Sequence, residues 1–144
     1  MADADKIVDL VRAWIGTPYV HQASHFQAGT DCLGLIRGVW RDLYGQEPEV
    51  PPAYTPDWGE TGAAELLWLG AKRHLVPVLR SEPVGAGQVL LFRMRSGAVA
   101  KHLGILVSGG EAPRFVHAYT HHGVVESPLT TPWRNRISGR FRFP

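Results

Sequence analysis

Thr30-Asp31-Cys32-Leu33-Gly34-Leu35-Ile36-Arg37-Gly38-Val39-Trp40-Arg41-Asp42-Leu43-Tyr44-Gly45 is the stretch on which the fold turns. Cys32, Leu35, Ile36, Val39, Trp40 and Leu43 recur at three- and four-residue intervals, so on a helix they form one apolar stripe. Thr30 is expected to cap this helix, Asp31 to lie in its first turn, and Gly45 to stop it. A cysteine therefore stands at the start of a buried helix and points toward whatever the stripe packs on. Unpaired N–H groups and the positive end of the helix dipole favour a thiolate there, so the thiol is expected below its free pKa of about 8.5. The plainer alternative is core filler, because free cysteine is among the most buried residue types and is usually inert. Cys32 is the only cysteine, which excludes an intrachain disulfide framework and any zinc site built on several thiolates.

Upstream, Asp3 or Asp5 can cap a helix whose stripe is Ile7, Leu10, Val11, Trp14 and Ile15, closed by Gly16 with Pro18 beyond. Tyr19 to Gly29 is polar and is expected to be a loop. Residues 46–59 are rich in proline and form a long connection, followed by a helix over about 61–74 with Ala64, Leu67, Trp68 and Ala71 on one face. After Pro77 the texture changes to short β-type runs separated by Gly, Pro and Asn. Strands are expected near Gln88–Arg93, His102–Val107, Arg114–Tyr119, Val124–Ser127 and Ile137–Phe143. In the last, Phe141 and Phe143 alternate with Arg140 and Arg142, giving one buried and one basic face. Helices followed by a meandering sheet define an α+β fold with helices packed on an antiparallel sheet.

The 144 residues are read as one domain, 1–144, long enough for a sizeable core. The net charge of +2 hides an asymmetry: residues 1–92 carry seven basic and eleven acidic side chains, and residues 93–144 carry eight and two. A solvated basic strand face explains this most simply, with docking to an anionic surface as the alternative. No nucleic-acid-reading motif accompanies the charge, so nucleic acid is not an expected partner. No apolar run reaches the roughly 18 residues of a membrane helix. The N-terminus lacks an apolar h-region, so synthesis in the cytoplasm without a signal peptide is expected, and no membrane partner.

A nucleophilic cysteine needs a base, and the base needs an orienting acceptor. His102 begins the apolar run Lys101-His102-Leu103-Gly104-Ile105-Leu106-Val107, and Gly104 leaves space beside its ring. His117 sits in a second run, Phe115-Val116-His117-Ala118-Tyr119. Either alone is most simply a hydrogen-bonded core histidine. Together, on successive strands facing one helix-terminal cysteine, they outline a catalytic set.

These residues resemble the NlpC-type papain-like cysteine peptidases. Thr30-Asp31-Cys32-Leu33-Gly34-Leu35 is similar to the family's nucleophile motif, His102-Leu103-Gly104-Ile105 to its general-base strand, and Phe115-Val116-His117-Ala118 to the strand of its third catalytic residue. Gly16-Thr17-Pro18-Tyr19 resembles the motif whose tyrosine lines the active site. Gly87-Gln88-Val89-Leu90-Leu91-Phe92 resembles the strand preceding the base. The blocks follow family order over residues 7 to about 127. The resemblance implies a reduced papain-like fold and hydrolysis of bacterial peptidoglycan stem peptides, typically between D-γ-glutamate and a diamino acid. It assigns Cys32 as nucleophile, His102 as base and His117 as its orienting partner. The Cys32 backbone N–H and the Tyr19 hydroxyl become the oxyanion donors, and no metal or organic cofactor is required.

Three departures stand out: Leu33 where the family often has serine, Gln88 for the usual aspartate, and Val20-His21-Gln22-Ala23-Ser24-His25 without paired glycines. This variant pattern looks most like small peptidases encoded with phage tails and gene transfer agents, with tail proteins as expected partners and access to the wall through lysis or a particle. His21, His25, His121 and His122 are expected to be surface polar residues, the last two in a hairpin turn. Trp58 and Trp133 could line a substrate groove, although packing is the simpler role. Two rivals remain: a non-catalytic tail-tip or wall-binding protein on the same fold, and an acyltransferase or amidase. The order Cys32 before His102 favours the peptidase over the last.

Overall fold

The computed structural model describes residues 2–51, 66–94 and 100–144, with Leu66 described by its backbone alone. Helix α1 (Ala4–Ala13) is capped by Asp3, whose carboxylate accepts from the Asp5 N–H at 3.1 Å. Its buried residues are Ile7, Val8 and Val11, with Trp14 just beyond the last turn. Ile15 departs from the expected stripe. The helix ends at Ala13, Gly16 turns the chain with φ 94°, and Ile15 is left exposed.

The segment expected as a loop folds into a two-stranded ladder, β1 (Ser24–His25) with β2 (Gly29–Thr30). Helix α2 follows over Cys32–Tyr44 and ends at Gly45 in the left-handed conformation. Its stripe buries Leu35, Ile36 and Val39 against α1 and the main sheet. A Cβ at Gly38 would lie 2.2 Å from the Trp14 ring, so glycine there sets how closely α1 and α2 approach. Helix α3 (Leu66–His74) buries Leu67 and Ala71, and Trp68 meets Phe141 edge-on at 5.4 Å. The earlier part of that expected helix, including Ala64, lies outside the described residues, as does Trp58.

Among the described residues six further strands follow: β3 (Val76–Pro77), β4 (Val89–Arg93), β5 (Ala100–Ser108), β6 (Arg114–Tyr119), β7 (Gly123–Pro128) and β8 (Ile137–Arg142). A short helix, α4 (Thr131–Arg134), lies between β7 and β8. Every pairing is antiparallel, in the order β3-β8-β4-β5-β6-β7. Alternation along the strands sends Val89, Leu91, Leu103, Ile105, Val116 and Ala118 to the helix side. Leu90, Phe92, Leu106 and Phe115 go to the other face, where Leu129 and Trp133 cover them. This is the expected α+β architecture.

The basic strand face is not the solvated surface expected from the sequence. Arg140 donates to the carbonyls of Leu79, Glu82 and Pro83 and to the Gln88 side chain at 2.6–3.1 Å, gathering the 79–83 turn. Arg142 pairs with Glu82, and Arg12 and Arg114 both pair with Glu126. Acidic and basic halves of the chain are thus tied together. Gln88 serves this same structural junction, donating to the Pro83 carbonyl and accepting from Arg140.

Candidate active site

Asp31, not Thr30, caps α2. One Asp31 oxygen accepts the Gly34 N–H at 2.7 Å and the other accepts the Gln22 N–H at 2.8 Å. Thr30 instead turns its hydroxyl to the Asp31 carbonyl at 3.0 Å. A cap three residues before Gly34 can reach its N–H, whereas Thr30 is one residue too far back. Cys32 therefore occupies the first helical position with a buried carboxylate as its neighbour.

The thiol meets β5 at its edge. Its Sγ lies 3.8 Å from the Lys101 carbonyl, and the Leu103 main chain also hydrogen-bonds to it, so both contacts flank His102. On its other side β5 pairs with β6, with Ile105 opposite Val116 and Ser108 opposite Arg114. Burial, reinforced by the Asp31 carboxylate, pushes the thiol up to about 12. The depressed value expected from the helix start is overturned, because desolvation and an adjacent carboxylate outweigh the helix N-terminus. We expect iodoacetamide to label Cys32 slowly at pH 7, with a rate still climbing above pH 9. A rate plateau below pH 8 contradicts this.

His102 and His117 lie on the sheet face opposite α2. Alternation puts Leu103 toward the helices and His102 away from them, beside Phe92, its cross-strand neighbour on β4. The expectation that both rings face the cysteine helix is corrected accordingly: Cys32 reaches the backbone of the strand, and the rings stand beyond it. His102 Nε2 and His117 Nδ1 are 2.8 Å apart, and His117 Nε2 is 3.0 Å from Ser127 Oγ. Gly104 makes room for this pair, since a Cβ there would meet Phe115 at 2.9 Å and the His117 Cβ at 3.4 Å.

Trp133 on α4 closes the face, with ring centroids 5.7 Å from His102 and 5.2 Å from His117. It therefore packs on the imidazoles. His102 is 7% exposed and His117 1%. Burial, then the neighbouring His117 and Lys101, lowers His102 to about 3; burial and His122 lower His117 to about 4. Both rings are neutral at pH 7, and a neutral His102 can accept a proton. His117 holds its Nε2, so Nδ1 is the nitrogen left for that task.

Tyr19 bridges to Thr30 and lies within electrostatic reach of Cys32. Burial raises its pKa, with Cys32 adding to the rise and a hydrogen bond with Thr120 opposing it. The phenol stays protonated and can donate. Cys32 and Tyr19 thus lie together on one side of β5, and the His102–His117 pair on the other. His121 and His122 stand at the β6–β7 turn, with His121 at φ 70° and His122 stacked on Tyr119 at 5.3 Å. His21 and His25 lie in the segment around β1, apart from the imidazole pair. Among the described residues, no group of three or more His, Cys, Asp or Glu is placed to hold a metal. Ser127 and Asp31 are the two partners that motif reading passed over.

The fold is of the papain-like type. The chain is 20% identical to the NlpC/p60 domain of the peptidoglycan hydrolase SagA, with a TM-score of 0.61 over 99% of this chain and 100% of that one. An NlpC/p60 family protein from Bacillus cereus superposes with a TM-score of 0.67 at 18% identity, over 99% of this chain and 40% of that one. In sequence, the chain is 29% identical over 134 residues to the murein DD-endopeptidase MepS/murein LD-carboxypeptidase of Escherichia coli (strain K12), which is 92% of this chain and 59% of that protein. It is 28% identical over 129 residues to a probable endopeptidase of Haemophilus influenzae, covering 90% of this chain and 67% of that one. No family model matches. The chain spans about three-fifths of the length of the Escherichia coli relative. Its fold is that of the NlpC/p60 domain, and the resemblance read from its motifs extends over nearly all its length.

Proposed function

We propose that the chain is a cysteine peptidase of peptidoglycan stem peptides, cutting the bond between D-γ-glutamate and a diamino acid. The observation that carries this reading is the hydrogen-bonded His102–His117 pair on the strand whose edge receives Cys32. The relatives named as endopeptidases and as a peptidoglycan hydrolase support the substrate class.

The chemistry runs from a neutral pair. This requires the thiol and the His102 ring, which stand on opposite faces of β5, to meet around the end of the strand. The Cys32 proton then passes to His102 Nδ1 as the sulfur attacks the scissile carbonyl, so thiolate forms only as it is consumed. The Cys32 N–H and the Tyr19 hydroxyl stabilise the oxyanion, contacts of a kind worth about 2.7–4 kcal/mol each. The imidazolium then gives its proton to the leaving amine, and water cleaves the thioester with His102 again as base.

Mass spectrometry of products from defined muropeptides tests the reading. Wild type is expected to release the fragments of a γ-glutamyl cut, and Cys32→Ala to lose at least about 10³-fold in rate while its circular dichroism is unchanged. Equal cleavage by the variant rules the peptidase out. Retention on purified sacculi without any cleavage by wild type favours the wall-binding rival. The particle setting is part of the same proposal, supported by the variant residues Leu33 and Val20–His25. Co-sedimentation of the chain with phage-like tails or gene transfer particles decides it, and a chain found only in the particle-free fraction contradicts it.

A further inference from the structure

We infer that Ser127 is a positioning residue that selects the tautomer of His117, and through it makes His102 a base. The inference rests on the peptidase reading for its catalytic consequence and on geometry for its placement. Ser127 pairs across the β6–β7 ladder with Phe115, and His117 with Val125, so Ser127 is the diagonal neighbour of His117 on the same face. Its Oγ lies 3.0 Å from His117 Nε2.

The chain of hydrogen bonds has two possible senses. In one, Ser127 accepts from His117 Nε2–H, His117 Nδ1 accepts from His102 Nε2–H, and His102 Nδ1 is a free base. In the other every proton is reversed: Ser127 donates to His117 Nε2, His117 Nδ1–H donates to His102 Nε2, and His102 carries its proton on Nδ1. Only the first sense can take the thiol proton. Once it does, His102 is a cation whose Nε2–H points at the His117 lone pair, and His117 must keep its proton on Nε2.

His117 is buried under Phe115, Tyr119 and Trp133, so the Ser127 hydroxyl is the acceptor its Nε2–H finds. Without that oxygen the first sense leaves a buried N–H orphaned. The second leaves only an unused lone pair, the more tolerable of the two. Ser127→Ala therefore drives the pair toward the form in which His102 cannot accept.

Nitrogen-15 NMR of the imidazoles at pH 7, together with muropeptide kinetics, tests this. Wild-type His117 is expected as the Nε2–H form; an Nδ1–H form in the wild type overturns the inference outright. Ser127→Ala is expected to shift His117 toward Nδ1–H and to lower kcat by about 10²-fold at little cost in KM, with Ser127→Thr restoring both. Ser127 lies on the edge strand β7 and is only partly buried, so the alanine variant is expected to fold. A tautomer and kcat unchanged in Ser127→Ala contradict the inference. If wild type cleaves nothing, the peptidase reading falls, and the tautomer shift alone still decides the role of Ser127.

Discussion

Lowering the pH from 7 to 5 is expected to cost the protein about 4 kcal/mol of stability, through His102 and His117 alone. In the unfolded chain both imidazoles take up protons near 6.5; in the fold they resist until about 3 and about 4. Unfolding therefore binds protons throughout that window, and stability is complete above pH 6.5 and falls as the pH drops. Each ring contributes about 2 kcal/mol by pH 5, a large share of the 5–15 kcal/mol typical of a whole domain. The carboxylates held low by arginine partners, such as Glu126 and Glu47, act in the same direction. Their contribution begins only below about 4.5, so the two effects separate on the pH axis. Urea midpoints at pH 7, 6 and 5 check this. A midpoint constant to pH 5 contradicts it, and His102→Gln is expected to flatten the upper part of the curve.

The same burial that makes the pair acid-sensitive also sets how it must work. A thiol pushed up and two imidazoles pushed down cannot rest as a thiolate–imidazolium pair at pH 7. Hydrogen bonds from the Leu103, Leu33 and Cys32 main chain oppose the rise at Cys32, and they are the groups that stabilise negative charge as it appears on sulfur. The site is therefore built for charge that is transient. The closure by Trp133 fits this, since a dry environment strengthens each hydrogen bond in the His102–His117–Ser127 chain.

Periodicity carried most of the fold into view. The stripe on α2 and the alternation in β4, β5, β6 and β8 place those elements to within about two residues, because each buries one regular face. The tiny ladder of β1 and β2 has two residues per strand and no period to read. Helix α4 is four residues long, although Thr130 with Pro132 is a start signal that could have marked it. Motif order singled out Cys32, His102 and His117, but their electrostatics could not be read from it. A helix-start argument sees the dipole and misses the carboxylate of Asp31 and the depth of the site. Ser127 was hidden for a different reason: its partner lies diagonally across a ladder, and diagonal contacts depend on register, which the β6 and β7 residues do not announce.

Gly34→Ala is expected to destabilise the protein by about 3 kcal/mol and to abolish cleavage, although Gly34 touches no reacting atom. A Cβ at this position would lie 1.9 Å from the Ala23 carbonyl oxygen and 2.6 Å from the Thr30 hydroxyl. Neither can simply step aside. The Ala23 carbonyl accepts the Asp31 N–H at 3.2 Å, and the Gly34 carbonyl accepts the Ser24 hydroxyl at 2.6 Å. The Gly34 N–H itself is the one that Asp31 caps. Three hydrogen bonds, from the Gln22 N–H, the Asp31 N–H and the Ser24 hydroxyl, thus clamp the 22–24 segment to the start of α2, and Cys32 rides on that clamp. Moving the carbonyl by the ångström or more that a methyl demands breaks the cap and shifts the sulfur from the edge of β5. Gly70→Ala on α3 is the control: nothing lies within 4 Å of its added Cβ, and alanine favours a helix. That variant is expected to gain about 0.5–1 kcal/mol and keep full activity. Thermal unfolding and muropeptide cleavage on both variants settle the matter, and a Gly34→Ala protein as stable and active as wild type would show that the clamp does not position the nucleophile.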